Sequence, residues 1–448
     1  MAGKYQAYPE YKDSGVEWIG EIPSDWDMWK IAHACPYIAS GTTPTSDSDK
    51  YYGGEYLWVT TGELRENIIF DTQKKVTGKA LVDMPTLRLH PKGSVSIAMY
   101  GATIGRLGIF GKEATTNQAC CVMPPSKVLH NKYLFYWLYA TRNEIINLSS
   151  GGGQPNVNQE KIASLKISAP HYELQIKIVN FLDHETAKID TLIEKQQQLI
   201  QLLKEKRQAV ISHAVTKGLN PDVPMRDSGV EWLGEVPAHW EVKRIKHFGK
   251  IIGGYAFKSN DFCDSGIKAI KISNVSHLFF EWSDSSFLPE NFLFEKREYV
   301  PPKDSLIFAM TRPIISGGVK VAKFDLDEEC LVNQRVGFLK PSHKINQDYL
   351  MYVAQSNSFF CAFDNNITAT NQPNISSEGI EDIRFSCPNL SEQAEIVGYI
   401  SAISKLFENT LNKVNEQIEL MQERRTALIS AAVTGKIDVR NWVAPAHP

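Results

Sequence analysis

Two long stretches of this chain alternate apolar and polar positions with helical spacing. Val179, Leu182, Thr186, Ile189, Ile193, Gln196, Ile200, Leu203, Arg207, Val210 and Ala214 follow one another at alternating steps of three and four. That is the seam of a heptad repeat. Val397, Ile400, Ser404, Phe407, Leu411, Val414, Ile418, Met421, Arg425, Leu428 and Ala432 repeat it in the same register. No Pro or Gly interrupts 173–216, and only Gly398 falls in the second run. Roughly 44 helical residues span about 65 Å, too far to pack on one domain throughout. The two seams are therefore expected to pair with each other. The first helix carries the chain away from one block and the second returns it, so the pairing is antiparallel. Pro170 and Pro388 precede the helices, where the residue before a proline is pushed out of helix. Gly218-Leu219-Asn220-Pro221 and Gly435 act as stop signals.

The blocks at about 27–170 and 241–388 read differently. Short β-rich apolar runs recur at Tyr56–Thr60, Ser94–Met99, Leu306–Met310 and Val319–Phe324, with Gly, Ser, Thr and Asn in the gaps. Asn131–Ile146 and Asn346–Phe360 each read as one helix. The pattern predicts an α+β domain used twice.

Direct repetition supports this. Asp13-Ser14-Gly15-Val16-Glu17-Trp18-Ile19-Gly20-Glu21-Ile22-Pro23 returns at 227–237 with only Ile to Leu and Ile to Val changes, and Trp26 and Trp240 close the two copies. Asn117-Gln118 matches Asn333-Gln334, Gln154-Pro155-Asn156 matches Gln372-Pro373-Asn374, and 207–216 matches 425–434. A shift of more than 200 residues (13 to 227) is a duplicated domain, not a solenoid repeat of about 20–50 residues. The expected architecture is two similar α+β domains joined by two long helices in an antiparallel coiled coil, with pseudo-two-fold character. Its parts are 1–170, the first domain with its leading segment; 171–218, the first helix; 219–388, the second domain with linker and leading segment; 389–436, the second helix; and 437–448, a tail.

Composition narrows the class. The 448 residues are 43% hydrophobic and 22% charged, with no apolar run of about 18 residues, so neither a membrane span nor a membrane partner is expected. The N-terminus lacks the apolar core of a signal peptide. Seven scattered cysteines without a C-x-x-C pair point to reduced thiols and a cytoplasmic location. A net charge of −3 does not advertise nucleic acid, but a basic face can coexist with an acidic remainder.

Catalytic motifs are missing. Ala102-Thr103-Ile104-Gly105-Arg106 lacks the Lys-Ser/Thr end of a phosphate loop, and Gly101, Gly105 and Gly108 do not open a helix. There is no Asp/Asn-Pro-Pro-Tyr/Phe tetrapeptide, no Gly-x-Ser-x-Gly and no H-E-x-x-H among the 11 histidines. Asp325, Asp327, Glu328 and Glu329 read as a solvated turn rather than a Mg²⁺ site. The sequence reads as a binding protein, with neither a catalytic residue, a metal nor a cofactor of its own.

The loops carry small donors together with Arg, Asn and Gln, the residue types that contact phosphates and base edges. In the first block the candidate DNA contacts are Thr42, Thr43, Thr61, Arg65, Tyr100, Thr103, Arg106 and Gln154. In the second they are Lys258, Ser259, Asn274, Thr311, Arg312, Asn371 and Gln372. Two unlike binding units on a stiff spacer would read an asymmetric, bipartite duplex site. A coiled-coil adaptor that binds no DNA is the alternative.

This order of parts resembles the specificity subunit of type I restriction–modification enzymes. The likeness is carried by Gly-Val-Glu-Trp-Ile/Leu-Gly-Glu-Ile/Val-Pro-x-x-Trp before each block, by Gln-Pro-Asn followed by Pro and the helix starts at Gln175, Ile178 and Val179 and at Gln393, Ile396 and Val397, and by the segment 425–436. It covers nearly the whole chain. It implies a subunit without an active site that holds double-stranded DNA and recruits two adenine methyltransferase subunits. Two restriction subunits would add to that core. S-adenosylmethionine, ATP and Mg²⁺ would belong to those partners. The paired helices would fix the gap between half-sites and dock the methyltransferases, with Trp18, Trp232, Arg207 and Arg425 as partner contacts. The first helix departs from the pattern: Leu174 stands where Glu392 does, and Thr216-Lys217-Gly218 replaces Thr434-Gly435-Lys436, read here as drift at surface positions.

Overall fold

The computed structural model describes residues 5–45, 50–148, 156–283, 285–316, 318–368 and 372–444. The chain forms two compact units, 1–196 with 416–448, and 197–415. The expected helices are present as Tyr172–Lys217 and Leu390–Val433. The first ends against Gly218, whose φ of +79° is the left-handed conformation only glycine adopts freely, and Gly435 at +76° follows the second.

The heptad seam is where burial follows the sequence most closely. Between 191 and 205, Ile193, Gln196, Ile200 and Leu203 are the only positions shielded from solvent, and between 411 and 424 only Leu411, Val414, Ile418 and Met421 are. In the first unit Asp190 on the first helix pairs with Arg425 on the second. In the second unit Arg207 pairs with Glu408. Asp190 and Glu408 occupy the same place in the repeat, as do Arg207 and Arg425. One ion pair is thus made twice, with the helices exchanging roles. Antiparallel pairing of a duplicated helix has that consequence.

Each unit also carries two sheet layers of matching design, mostly antiparallel. In the first, strands Ala39–Ser40, Cys120–Met123, Val95–Ala98, Leu107–Phe110 and Asn67–Ile69 form one sheet, and Ala114–Thr116, Tyr52–Val59 and Lys75–Val76 a second. In the second unit the sheets are Ile251–Gly253, Val336–Leu339, Ser305–Ala309 and Val321–Phe324, and Phe287–Leu288, Ile267–Ile270 and Leu331–Val332. Two pairings within these layers are parallel in the first unit, and one is in the second. The helices expected over 131–146 and 346–360 are each broken in two. Asn131–Ala140 stops at Thr141, whose hydroxyl bonds back to Trp137, before Arg142–Asn147. Gln347–Val353 gives way to Asn357–Asn365, which Ser356 caps by accepting from Phe359 N–H. Apolar spacing continues through both breaks, so the pattern alone hides them.

The repeated phrase explains itself as a self-capped hairpin. Tyr11–Asp13 pairs with Glu21–Pro23, and Met225–Asp227 with Glu235–Pro237 in the same register. In each copy the Asp carboxylate accepts from the Gly N–H two residues on, and the Ser hydroxyl is bonded to Val16 or Val230. The hairpin delivers a buried Trp to the core: Trp26 and Trp240 are 0% and 1% exposed. Tyr133 and Tyr349 sit at equivalent places. Tyr133 donates to the Ser168 and Val433 carbonyls, Tyr349 to those of Ser386 and Val215. Each tyrosine thereby ties its domain to the C-terminal end of a long helix, the second helix in one unit and the first in the other.

The expected drift at surface positions is not what the structure holds. Leu174 is 2% exposed and lies in the first core. Glu392 accepts from the Trp240 indole N–H at 3.0 Å and meets His239 Nε2 at 3.0 Å. Where Leu174 replaces it, no carboxylate among the described residues meets the Trp26 indole N–H, and the Trp26 ring packs edge-on against Tyr8 instead.

Candidate nucleic-acid interface

Strand ends of both layers converge on one edge of each unit, and turns fill it. In the first unit Gly41 N–H bonds to the Asn117 carbonyl and Thr42 N–H to that of Thr116. Asn117 N–H bonds to Val59, next to the 60–65 turn, and Met99 N–H to Ala119. Tyr100 bridges to Asn156. The second unit repeats the scheme. Tyr255 N–H bonds to Val332, Gln334 N–H to Tyr255, Asn333 N–H to Ile270, Met310 N–H to Arg335, and Thr311 bridges to Asn374. Glycine is required where the backbones touch. A Cβ at Gly41 would lie 1.8 Å from the Thr116 oxygen, and one at Gly254 would lie 2.2 Å from that of Asn333.

These contacts bring together most of the expected residues in the first unit, and Thr311, Arg312 and Gln372 in the second. Thr42 and Thr43 lie beside the 116–118 turn, with their hydroxyls on Thr86 and Gln118. Thr61 is half-buried in the next turn, and exposed Arg65 folds its Nε–H onto the Gly62 carbonyl at 2.9 Å. Tyr100 is 37% exposed, and Thr103 donates to its carbonyl. The exposed Arg106 closes that turn through its main-chain N–H on Thr103. Gln154 and Asn371 lie outside the described residues, and Gln372 is exposed. Lys258 and Ser259 are exposed on a turn that Asp261 caps. Thr311 is buried, whereas Arg312 is exposed with a φ of +46°. A left-handed arginine is uncommon, and such outliers concentrate at functional sites.

Asn274 requires correction. It is fully buried, its Oδ1 accepts from Lys271 N–H and its amide donates to Glu281, so it shapes its loop instead of facing a ligand. Glu63 does the same in the first unit, accepting from Thr60 N–H and Oγ1 at 2.6 Å. Gln118, Gln334 and Arg335 were not among the expected contacts, yet they stand exposed at the centre of the two edges. The repeated Asn-Gln pair was the available signal. The acidic cluster is dispersed over basic partners: Asp327 on Lys303, Glu328 on Lys268, Glu329 on Arg297. Among the described residues no group of acidic, His and Cys side chains is arranged to hold a metal.

The expected partner contacts divide. Trp18 is 39% exposed at its hairpin tip, with its ring 5.7 Å from that of Trp137. Trp232 is half-buried against the second core. Arg207 and Arg425 are corrected in part: both guanidiniums pair across the long helices, so their charge belongs to the seam.

A model of the type I restriction modification DNA specificity domain matches the chain twice, over residues 23–202 and 237–420. The chain is 28% identical over 422 residues to the MjaVIII type I restriction enzyme specificity subunit of Methanocaldococcus jannaschii, covering 94% of this chain and 95% of that one. It is 24% identical over 441 residues to the EcoKI specificity subunit of Escherichia coli, with coverage of 95% and 92%. The HsdS subunit from Thermoanaerobacter tengcongensis superposes with a TM-score of 0.53 at 13% identity, over 93% of this chain and 98% of that one. A chain solved for the complex assembly and conformational transition of a type I R-M system gives 0.66 at 14%, over 93% and 99%. At such identities the structural likeness carries the fold alone. With the family model matched in both units and over more than half of the sequence, the chain belongs to the type I restriction–modification DNA specificity family.

Proposed function

We propose that this chain reads a bipartite, asymmetric duplex DNA target, one half-site per unit, and brings adenine methyltransferase and restriction subunits to it. The observation that carries the reading is the duplicated edge: one backbone scheme, built twice, bearing different side chains. Arg312 and Arg335 are exposed at the second edge, Arg65 and Arg106 on turns of the first, and Lys258 on a neighbouring loop in sequence. Cations beside Gln, Thr and Ser supply both phosphate contacts and base-edge donors.

Chemistry then belongs to partners. Two methyltransferase subunits would bring S-adenosylmethionine, and two restriction subunits ATP and Mg²⁺, in the cytoplasm where the DNA is. The seam would set the gap between half-sites. Trp18, exposed at its hairpin tip, would contribute to docking. The test is binding by the chain assembled with its methyltransferase partner. Affinity that falls steeply with salt, and methylated adenines at one gapped asymmetric motif in the source genome, are the expected results. Salt-independent or absent DNA binding would favour an adaptor that only joins proteins.

A further inference from the structure

At the middle of each edge lies a four-residue β-turn with the same anchoring. In the first unit Cys120 N–H bonds to the Asn117 carbonyl, and in the second Val336 N–H bonds to that of Asn333 at 2.9 Å. Asparagine opens each turn and its side chain accepts from a turn N–H, of Ala119 at 3.2 Å and of Gln334 at 2.7 Å. Each turn is also bonded on both sides to neighbouring strands, through Val59 and Met99 in one unit and Ile270 and Met310 in the other. The two central residues therefore project from a fixed backbone, the condition for directional recognition. Those residues are Gln118-Ala119 in the first unit and Gln334-Arg335 in the second. Gln334 and Arg335 are exposed, and neither side chain bonds to a described residue. A recess of about 320 Å³ opens beside them, lined also by Lys271, Ser273 and Asn333.

We propose that these turn tips are base-reading elements, and that Arg335 gives the second half-site a guanine contact that the first, with Ala119 in its place, lacks. The inference rests on the DNA-specificity reading and adds residues and a base to it. Arginine forks onto guanine O6 and N7, glutamine onto adenine N6 and N7. The glutamines are common to both units, whereas position 119/335 differs. This is one place where one scaffold acquires two specificities.

The test is site selection from a randomised DNA library by the chain assembled with its methyltransferase partner. Arg335→Ala should lower the preference for one G·C pair about 5- to 150-fold, in one half-site only. Arg335→Lys should fail to restore it, because an ammonium keeps the charge but not the fork. Ala119→Arg should alter preference in the other half-site alone, which keeps the test decisive should Arg335→Ala unfold. Equal weakening on all sequences, with a shallower salt slope, would make Arg335 a phosphate contact and overturn the inference. An unaltered motif in both Arg335→Ala and Ala119→Arg overturns it as well. A wild-type complex that selects no sequence would instead remove the DNA-specificity reading itself.

Discussion

His90 shows how much one buried side chain can decide. It is fully buried in the first unit, its main chain is bonded in both directions to Ala114, and its Nδ1 lies 3.1 Å from the Tyr37 hydroxyl. Burial, with the Arg88 charge adding to it, holds its pKa down at about 4. In the unfolded chain the group titrates near 6.5. The unfolded state takes the proton first as the pH falls, so the contribution is complete above about 6.5 and is lost progressively toward 4. Its size is on the order of 3 kcal/mol. The thermal transition should therefore drop across this window in the wild type and drop less in His90→Phe; parallel curves would clear His90 of any role. The cysteines give a second expectation. Cys35, Cys120, Cys121, Cys330 and Cys387 are buried, and burial pushes their thiols up, Cys35 to about 11 and Cys120 to about 12. Cys263 and Cys361 are exposed. A thiol reagent at neutral pH should label those two rapidly and reach the other five only on unfolding.

Among the elements, the long helices were the most legible in the sequence, because their seam is periodic and burial depends on little else. The identity of what meets the seam was not. Glu392 and Leu174 occupy one position of the repeat, and both look like surface variation until a Trp is brought beside each. Position 392 then gives an indole N–H a carboxylate acceptor, and 174 gives it none. Glu392→Leu should reproduce the first unit's arrangement in the second and cost about 1–3 kcal/mol, the usual penalty for a buried donor without a partner. A melting temperature equal to the wild type would show that the Trp240 bond contributes nothing. The ion pairs are a weaker case. Asp190 and Glu408 are half-exposed or more, so Arg425→Ala or Arg207→Ala should change stability by under about 1 kcal/mol through charge alone. The candidate site was legible by residue type but not by placement. Loop composition could find Thr42, Arg106 and Arg312. It could not tell that Asn274 turns inward, nor that the tips at Gln118 and Arg335 sit where five chain segments meet, since only pairing of distant strands creates that edge.

On the scale of the molecule, the duplication is closed in an unusual way. The second unit is one uninterrupted run, 197–415, ordered as helix end, hairpin, sheets and helix start. The first has the same parts, but its helix end is supplied by 416–433, from the far end of the chain. Tyr133 on Val433 and Tyr349 on Val215 are the same joint made by different connections. A scaffold of this kind can change length without changing its joints, provided that both helices change together and the seam stays in phase. Removing 196–202 and 414–420 takes one heptad from equivalent places in each helix, so the apolar register is kept. Seven residues shorten a helix by about 10 Å, roughly three base pairs of duplex at 3.4 Å each. If the helices set the gap, the methylated motif should keep both half-sites and lose about three base pairs between them. Deleting four residues from each helix instead would rotate the seam and should abolish specific methylation. A heptad deletion that leaves the gap unchanged, in a complex that still methylates, would mean that something other than the helices sets it.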